Sequence, residues 1–534
     1  MSTQQFDAIV IGAGISGMYQ LYRLRELGLK VRVYETGDGV GGTWYWNRYP
    51  GARFDSESYS YAYSFSEEIM KEWNWSEHFS GQPENERYLN FVADKLDLRK
   101  DIQFNAKVTA ARFQKDADQW EVELDNGEKA TARFLITAMG PLSAFQMPRI
   151  PGIDSFKGQY WHTARWPKQP VDFTGKRVGV IGTGATGVQV IQEVAKTAGQ
   201  LTVFQLDANW CAPLKNSKIK DEDQAALKAR YPEIFQQCKD SFGGFVHQFD
   251  MRSLFDVTPE EREAFFEDLY DSPGFGIWLG NFHDIMTDQK ANDIISDFIA
   301  RKIRQRVKDP KVADILIPKD HGFGMKRVPM ETNYFEVYNQ DNVELVDLRA
   351  TPIETITANG VKTSAQEYEL DMIVYATGFD AVTGAFKRVD IRGADNQNLA
   401  EQWADGPHTY LGIQVTGFPN LFMLVGPHNG ATFCNIPRCI EQNVEWVTDC
   451  VKYMQDKGYT RIETTPEAEQ AWTDHVYETV AGSLFTKADS WFMGANVNEP
   501  GKKRTFLLYA GGGPAYRAKC DEVAASGYDG FVLK

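Results

Sequence analysis

An α/β fold is predicted by three observations. An apolar run leads straight into Gly12-x-Gly14-x-x-Gly17 and on into a helical pattern, and the same order returns at Gly182-x-Gly184-x-x-Gly187. Between residues 215 and 325 the chain turns charged, Phe-rich and helical, and strand patterns then resume. Together these imply two dinucleotide-binding, Rossmann-like units, the later one inserted into the earlier, with a helical insertion lying over them.

Phe6 to Gly12 is a short apolar run, which suits a strand buried on both faces. Leu21, Leu24 and Leu27 recur at helical spacing, and Gly28 is placed to end that helix. Lys30 to Glu35 reads as a second strand, with its acid 23 residues after the first glycine. Each part has a task at a nucleotide. The glycines permit a tight turn and close backbone approach, the helix N-terminus faces pyrophosphate, and Glu35 accepts from ribose hydroxyls. Gly41 to Asp55 is dense in Gly and aromatics and is expected to be neither helix nor strand. Its place just after the βαβ unit puts it at a bound cofactor. Residues 66–100 read as helical and 101–140 as strands, with a turn at Asp125-Asn-Gly127.

Residues 141–175, rich in Pro, Gly and aromatics, read as a connector. Lys176 to Gly182, a helix with Val188, Ile191 and Ala195 on one face, and the strand Leu201 to Gln205 then complete the second βαβ unit. Ile295, Phe298, Ile299 and Ile303 form an apolar stripe in the helical region, with Pro310 beyond its end. Further strands are expected at Val343 to Val346, at Asp371 to Gly378 and at Leu421 to Gly426. A helix is expected over 436–458 and a loop over 491–503.

The 534 residues suffice for about three domains. A net charge of −16 argues against nucleic acid and anionic membranes as main partners. No run is long and apolar enough to span a membrane, and no leader pattern precedes the first strand. Cysteines at 211, 238, 434, 439, 450 and 520 include no C-x-x-C pair, which predicts reduced, mostly buried thiols in a cytoplasmic protein. That absence also disfavours a dithiol flavin reductase. No metal is expected.

Phe156-x-Gly158-x-x-x-His162-x-x-x-Trp166-Pro167, flanked by the two glycine turns, resembles the fingerprint of the Baeyer–Villiger monooxygenases. The likeness is closest to the cyclohexanone, phenylacetone and steroid monooxygenase branch. It extends to Gly41–Asp55, Lys326-Arg327, Ala376-Thr-Gly378 and the Trp491 loop, and so covers essentially the whole chain. The resemblance implies an enzyme using FAD, NADPH and O2 to convert a ketone to an ester or lactone, through hydride transfer and a flavin peroxide. It implies FAD-binding segments at 1–140 and 381–534, and a linker with the fingerprint at 141–175. NAD(P)-binding segments fall at 176–214 and 326–380, with the helical insertion at 215–325 between them.

By the same resemblance Arg327 is the catalytic cation and Asp55 its paired acid. Gly12, Gly14, Gly17, Glu35, Gly42, Thr43, Trp44, Asp55 and Tyr61 are assigned to FAD. Gly182, Gly184, Thr186, Gly187, Gln189, Asp207, Lys326, Arg327, Thr377, Gly378 and Trp491 are assigned to the cofactors and their closure. A guanidinium suits a developing oxyanion because it is always charged and presents a fixed fork. His162 invites a general-base role, but a lone His among aromatics reads as a loop residue, and Trp166 as a packing anchor. Leu142, Phe433 and Phe492 are candidate pocket walls. A monomer is expected, although nothing in the sequence fixes oligomeric state.

One departure stands out. The family places an arginine and then Thr or Ser after the Val-Phe-Gln run to hold the NADP 2′-phosphate, where this chain has Leu206 and Asp207. Losing such a contact removes about 1.5–3 kcal/mol. Asp207 instead suits a free ribose hydroxyl, so NADH use is expected alongside NADPH, with Lys326 retained. Rival readings are a flavin-containing monooxygenase acting on sulfides or amines, and a non-catalytic flavin- or nucleotide-binding protein.

Overall fold

The computed structural model describes residues 4–430, 434–495 and 503–534. The first unit starts with β1 (Gln4–Ile11), α1 (Ile15–Glu26) and β2 (Val31–Tyr34). After three short helical segments, a longer helix, α2 (Gln82–Lys95), leads into β3 (Ile102–Gln103), β4 (Val108–Gln114), β5 (Gln119–Leu124) and β6 (Lys129–Thr137). β1 lies between β2 and β6, parallel to both. Its Ala8 to Val10 are fully buried, as a central strand covered on both faces requires. Asp125-Asn-Gly127 turns β5 into antiparallel β6, with Gly127 at φ +83°.

The second unit follows as β7 (Gln159–His162), β8 (Arg177–Ile181), α3 (Ala185–Val194) and β9 (Gln200–Gln205). Here the structure departs from the expected connector. A third of the fingerprint is an edge strand, β7, paired in parallel with a strand far downstream. That strand would otherwise leave a row of unpaired backbone groups.

Several helices follow over 221–316, among them α4 (Gln289–Arg306). Its stripe Ile295, Phe298, Ile299 and Ile303 is buried. Pro310 opens the next helix, which Asp309 caps, so it acts as a starter and not merely a stop. The second sheet then closes with β10 (Val343–Asp347) and β11 (Met372–Tyr375), in the order β10-β9-β8-β11-β7 and parallel throughout.

The chain returns to the first sheet with β12 (Asp390–Arg392) beside β4 and β13 (Leu421–Met423) beside β6, which gives eight strands. A 22-residue helix, α5 (Ile436–Lys457), packs on α1. The first sheet thus takes strands from both sides of the chain segment that carries most of the second sheet.

Two local expectations need correction. Gly41–Asp55 contains one helical turn, Thr43–Trp46, made possible by Gly42 at φ +53° and anchored by buried Trp44 and Tyr45. Four cysteines are free and buried, but Cys434 and Cys439 form a disulfide. The first turn of α5 winds Cys439 back toward Cys434, a proximity that a search for C-x-x-C does not detect. Among the described residues no helix is long and apolar enough to cross a membrane.

Two buried histidines make this fold less stable as pH falls. Burial pushes both His162 and His428 down to about 4, with Arg165 adding to the effect at His162. The unfolded chain takes up these protons near pH 6.5, and the folded chain resists until about 4. Stability is therefore lost as pH falls through that window, by roughly 3 kcal/mol per histidine when fully expressed. His428 sits at φ +63°, a conformation Asn tolerates. His428→Asn is expected to flatten the decline of Tm between pH 6.5 and 4.5, measured by circular dichroism; an unchanged slope would show that His428 does not contribute.

Candidate functional site

The two glycine turns are near copies. Gly12 and Gly182 both have φ +106°, and a Cβ on either would approach the carbonyl oxygen of Ala138 or Ala376 to 2.6 or 2.5 Å. A Cβ on Gly17 or Gly187 would meet the oxygen of Gly12 or Gly182 at 1.9 or 2.2 Å. Only glycine serves at these positions, because strand, turn and helix meet without room for a side chain. α1 and α3 both begin after a glycine, with no side-chain cap and no acid in the first turn. Their first N–H groups are therefore available to an anion.

In the first unit these features open on a cavity of about 310 Å3, whose lining includes Gly12, Gly14, Glu35, Gly42, Thr43 and Tyr61. Gly17 lies behind that lining, at the crossing of turn and helix. Glu35 accepts from the N–H groups of Ala13 at 2.8 Å and Gly37 at 2.7 Å. Burial pushes its carboxyl up and those donors oppose the shift. Trp44 stands one layer back, with Nε1 donating to the Tyr61 hydroxyl at 3.2 Å. Burial pushes Tyr61 up to about 12, so it is a neutral wall. A bare backbone cradle, a helix N-terminus, an acid and aromatic walls fit a flavin dinucleotide.

In the second unit a Cβ on Gly184 would meet nothing within 4 Å, so the turn faces open space where a dinucleotide fits. Gln189 is directed elsewhere. Its Oε1 accepts from Tyr49 at 2.8 Å and its Nε2 donates to the Arg53 carbonyl at 3.0 Å, which ties α3 to the first unit. Thr186 also hydrogen-bonds Tyr49. Leu206 is exposed, Asp207 pairs with Arg349, and Lys326 pairs with Asp320 at 2.9 Å. Thr377 donates to the Gln146 carbonyl at 2.9 Å, and Gly378, at φ +81°, accepts from the Gln146 N–H.

Arg327 and Asp55 meet at 2.6 Å. Asp55 is 3% exposed, and its Oδ2 also accepts from the Met330 N–H at 3.2 Å. Burial pushes the Asp55 carboxyl up, opposed by the Arg327 guanidinium and that N–H. The other Asp55 oxygen and Arg327 Nη1 are buried with no hydrogen-bond partner. An orphaned guanidinium N–H held by a buried carboxylate is a donor ready for an anionic oxygen. Arg327 does not line the first cavity. It sits one layer away, since Phe54, next to Asp55, stacks on Tyr61 at 4.3 Å.

The fingerprint mostly supports the site from outside, while its Ala164 and Arg165 reach the first cavity. Phe156 is buried in the core of the second sheet with Ile181 and Ile373. A Cβ on Gly158 would strike the Asp371 carbonyl at 2.5 Å. His162 Nδ1 accepts from the Ala164 N–H at 3.1 Å, Trp166 packs 5.5 Å from Trp161, and Pro167 is half-buried. Sequence reasoning missed Arg165. It lies over Trp46 at 4.2 Å and Phe145 at 4.6 Å, and it lines the first cavity. A cation between two aromatic-rich segments was the available signal. Of the candidate pocket walls, Leu142 is exposed at the cavity rim and Phe433 lies outside the described residues. Phe492 is fully buried between Trp491 and Phe485 and so does not serve as an open wall.

Residues 7–228 match the family described as flavin-binding monooxygenase-like. The chain is 53% identical to the 2-oxo-Delta(3)-4,5,5-trimethylcyclopentenylacetyl-CoA monooxygenase of Pseudomonas putida, over 99% of this chain and 98% of that protein. It is 45% identical to a Baeyer–Villiger monooxygenase of Pseudooceanicola batsensis (strain ATCC BAA-863 / DSM 15984 / KCTC 12145 / HTCC2597), over 99% of this chain and 96% of that one. A crystal structure of OTEMO in complex with FAD and NADP superposes with a TM-score of 0.97 at 52% identity, covering 100% of both chains.

Arg327→Met would strand the buried Asp55 charge. It is expected to lower stability by about 2–4 kcal/mol, toward the lower end because the Arg327 side chain is 30% exposed. The double variant Asp55→Leu/Arg327→Met is expected to recover most of that loss in denaturant unfolding. A double-variant loss equal to the sum of the separate losses of Arg327→Met and Asp55→Leu would mean the pair does not act as a unit.

Proposed function

The chain belongs to the Baeyer–Villiger monooxygenases, and from that premise we propose how its own residues serve the insertion of one oxygen atom of O2 beside a ketone carbonyl. The cavity behind Gly12–Gly17 would hold FAD, with the N-terminus of α1 to receive its pyrophosphate and Glu35 its ribose. The Gly182–Gly187 turn would hold a nicotinamide cofactor. When bound, FAD takes hydride from the nicotinamide and activates dioxygen.

The rest is the protein's work. Arg327 presents a permanent positive charge to the oxygen that becomes anionic as the carbonyl is attacked, and Asp55 fixes its orientation. The single observation that carries this reading is the unpaired Nη1 of Arg327 on a guanidinium that the buried Asp55 holds in place. Phe54, Tyr61 and Trp44 exclude water on one side, which strengthens the field of the guanidinium. Asp55 and Arg327 move no proton in this scheme; they position and stabilise.

An apolar ketone is the favoured substrate. A second cavity, of about 400 Å3, has Phe249, Leu279, Met286 and Phe485 among its walls. The turn Gly276–Leu279 leads from Phe275, whose ring lies 5.8 Å from Arg327, to this cavity. A cytoplasmic location accords with such a substrate and cofactor set.

NADPH serves as reductant, and NADH is used appreciably, because Leu206 offers the 2′-phosphate no guanidinium and Lys326 is already engaged by Asp320. Oxygen-dependent oxidation of NADPH and NADH across cyclic, linear and aryl ketones, with esters identified by mass, is expected to show ketone-dependent turnover. The kcat/KM values for the two cofactors are expected to differ by less than about a hundredfold, the range open to one lost charged contact. Arg327→Ala is expected to abolish ester formation while the protein remains yellow. Ester formation retained by that variant would remove Arg327 from the mechanism.

A further inference from the structure

One wall of the first cavity carries a sulfur pair that the reaction described above does not use. Ile436 and Ile440, at the start of α5, line that cavity. The Cys434–Cys439 disulfide spans the same start, with Cys434 before the helix and Cys439 in its first turn. The bond therefore closes a ring of chain that contains Ile436. This ring is also fastened to the neighbouring wall. Asn435 Nδ2 donates to the Ser60 carbonyl at 3.2 Å and to the Ser60 hydroxyl at 3.1 Å, next to Tyr61. Arg438 donates to the Ala62 carbonyl, and Glu441 accepts from the Ser64 N–H at 2.6 Å. A change at the bond is thus passed to two sides of the cavity.

The remaining cysteines are in a different situation. Cys211, Cys238, Cys450 and Cys520 are buried thiols. Burial pushes Cys238 and Cys520 up to about 12 and raises Cys211 and Cys450 as well, so all four stay protonated and inert. Cys434 and Cys439 are half-buried, which leaves them within reach of small solutes. With the bond open, Cys439 stands at the positive end of α5 and beside the Arg438 guanidinium. Both favour the thiolate that attacks an oxidant.

We propose that Cys434 and Cys439 form a reversible oxidation site, closed by hydrogen peroxide and opened by small thiols, that sets how firmly the α5 wall holds the flavin. The second part rests on the reading that the first cavity holds FAD. In the closing step the Cys439 thiolate attacks one peroxide oxygen. The O–O bond breaks, and hydroxide leaves and takes up a proton. The Cys434 thiol then attacks the resulting sulfenic sulfur, the S–S bond forms and a second water departs with the thiol proton. Two thiols are oxidised by two electrons, and one peroxide is reduced to two waters. Two equivalents of an external thiol reverse the change and leave as their own disulfide. Hydrogen peroxide is what NAD(P)H, a proton and O2 yield when no ketone takes up the oxygen. Closing the ring removes backbone freedom around Ile436, so peroxide released by a loose cavity tightens that cavity.

The experiment treats the FAD-loaded protein with dithiothreitol or with hydrogen peroxide, alkylates it in the native state with iodoacetamide and determines masses. The dithiol-treated protein is expected to carry labels on Cys434 and Cys439. The peroxide-treated protein is expected to carry none there, and trypsin, which cuts after Arg438, leaves two peptides joined by the bond. Flavin fluorescence on dilution gives the Kd for FAD in each form. The open form is expected to bind FAD about tenfold more weakly, the worth of re-ordering one residue of backbone. Cys434→Ser and Cys439→Ser are expected to show the weaker binding under both treatments. Thiols that stay alkylatable after peroxide would overturn the oxidation site. Open and closed forms whose Kd values agree within about twofold would overturn the link to the flavin wall. Protein that binds no FAD in either form would refute the reading of the cavity and the link with it, while the labels alone still decide the oxidation site.

Discussion

The Asp55–Arg327 ion pair sets the position of the guanidinium on which the proposed chemistry depends. It joins the loop after the first βαβ unit to the segment that re-enters the second unit after the helical insertion. Asp55 is desolvated, so its charge depends on the guanidinium and one backbone N–H. Such a pair adds little net stability over a hydrophobic alternative, but breaking it is expensive. Its value here is geometric. The side chain of Arg327 is held to within a narrow range of positions, with one N–H still unmatched.

Around that pair the inserted architecture brings separate parts of the chain onto one surface. The segment 49–55 lies against α3, where a Cβ on Gly51 would meet the Gln189 carbonyl at 2.5 Å. Tyr49, Gln189 and Arg53 form a hydrogen-bonded strap across the two units. Arg165 bridges Trp46 of the first unit and Phe145 of the connector. The fingerprint therefore fixes the second sheet to the first unit through packing and a cation over rings. A buried His162 with its proton affinity pushed down to about 4 is neutral near pH 7 and accepts a hydrogen bond within its own turn.

The nicotinamide side is organised differently. The FAD-side turn closes on a buried acid, Glu35, which is satisfied by two backbone N–H groups. In the second unit the matching position is Gln205, which is buried, and the nearest acid, Asp207, lies two residues further on, where the exposed Arg349 guanidinium holds it. A resident cofactor suits the rigid arrangement. A cofactor that must exchange suits an exposed, charge-balanced one, because solvent screens the pair and keeps its rearrangement shallow.

The sequence alone determined the two glycine turns, their strands and helices, the inserted order and the apolar stripe of α4. These follow from local sterics and periodicity, and Gly12 or Gly182 cannot be replaced whatever the rest of the chain does. Asp55 and Arg327 were legible only as part of a family pattern, since nothing local says that two residues so far apart will meet. Tertiary structure alone decided that Gln159–His162 completes a sheet, that Gln189 serves the strap, and that Cys434 lies against Cys439. It also decided that Arg349 reaches Asp207. Each of these depends on which strand or turn lies beside which, and that register is set by long-range packing which no short window of residues encodes.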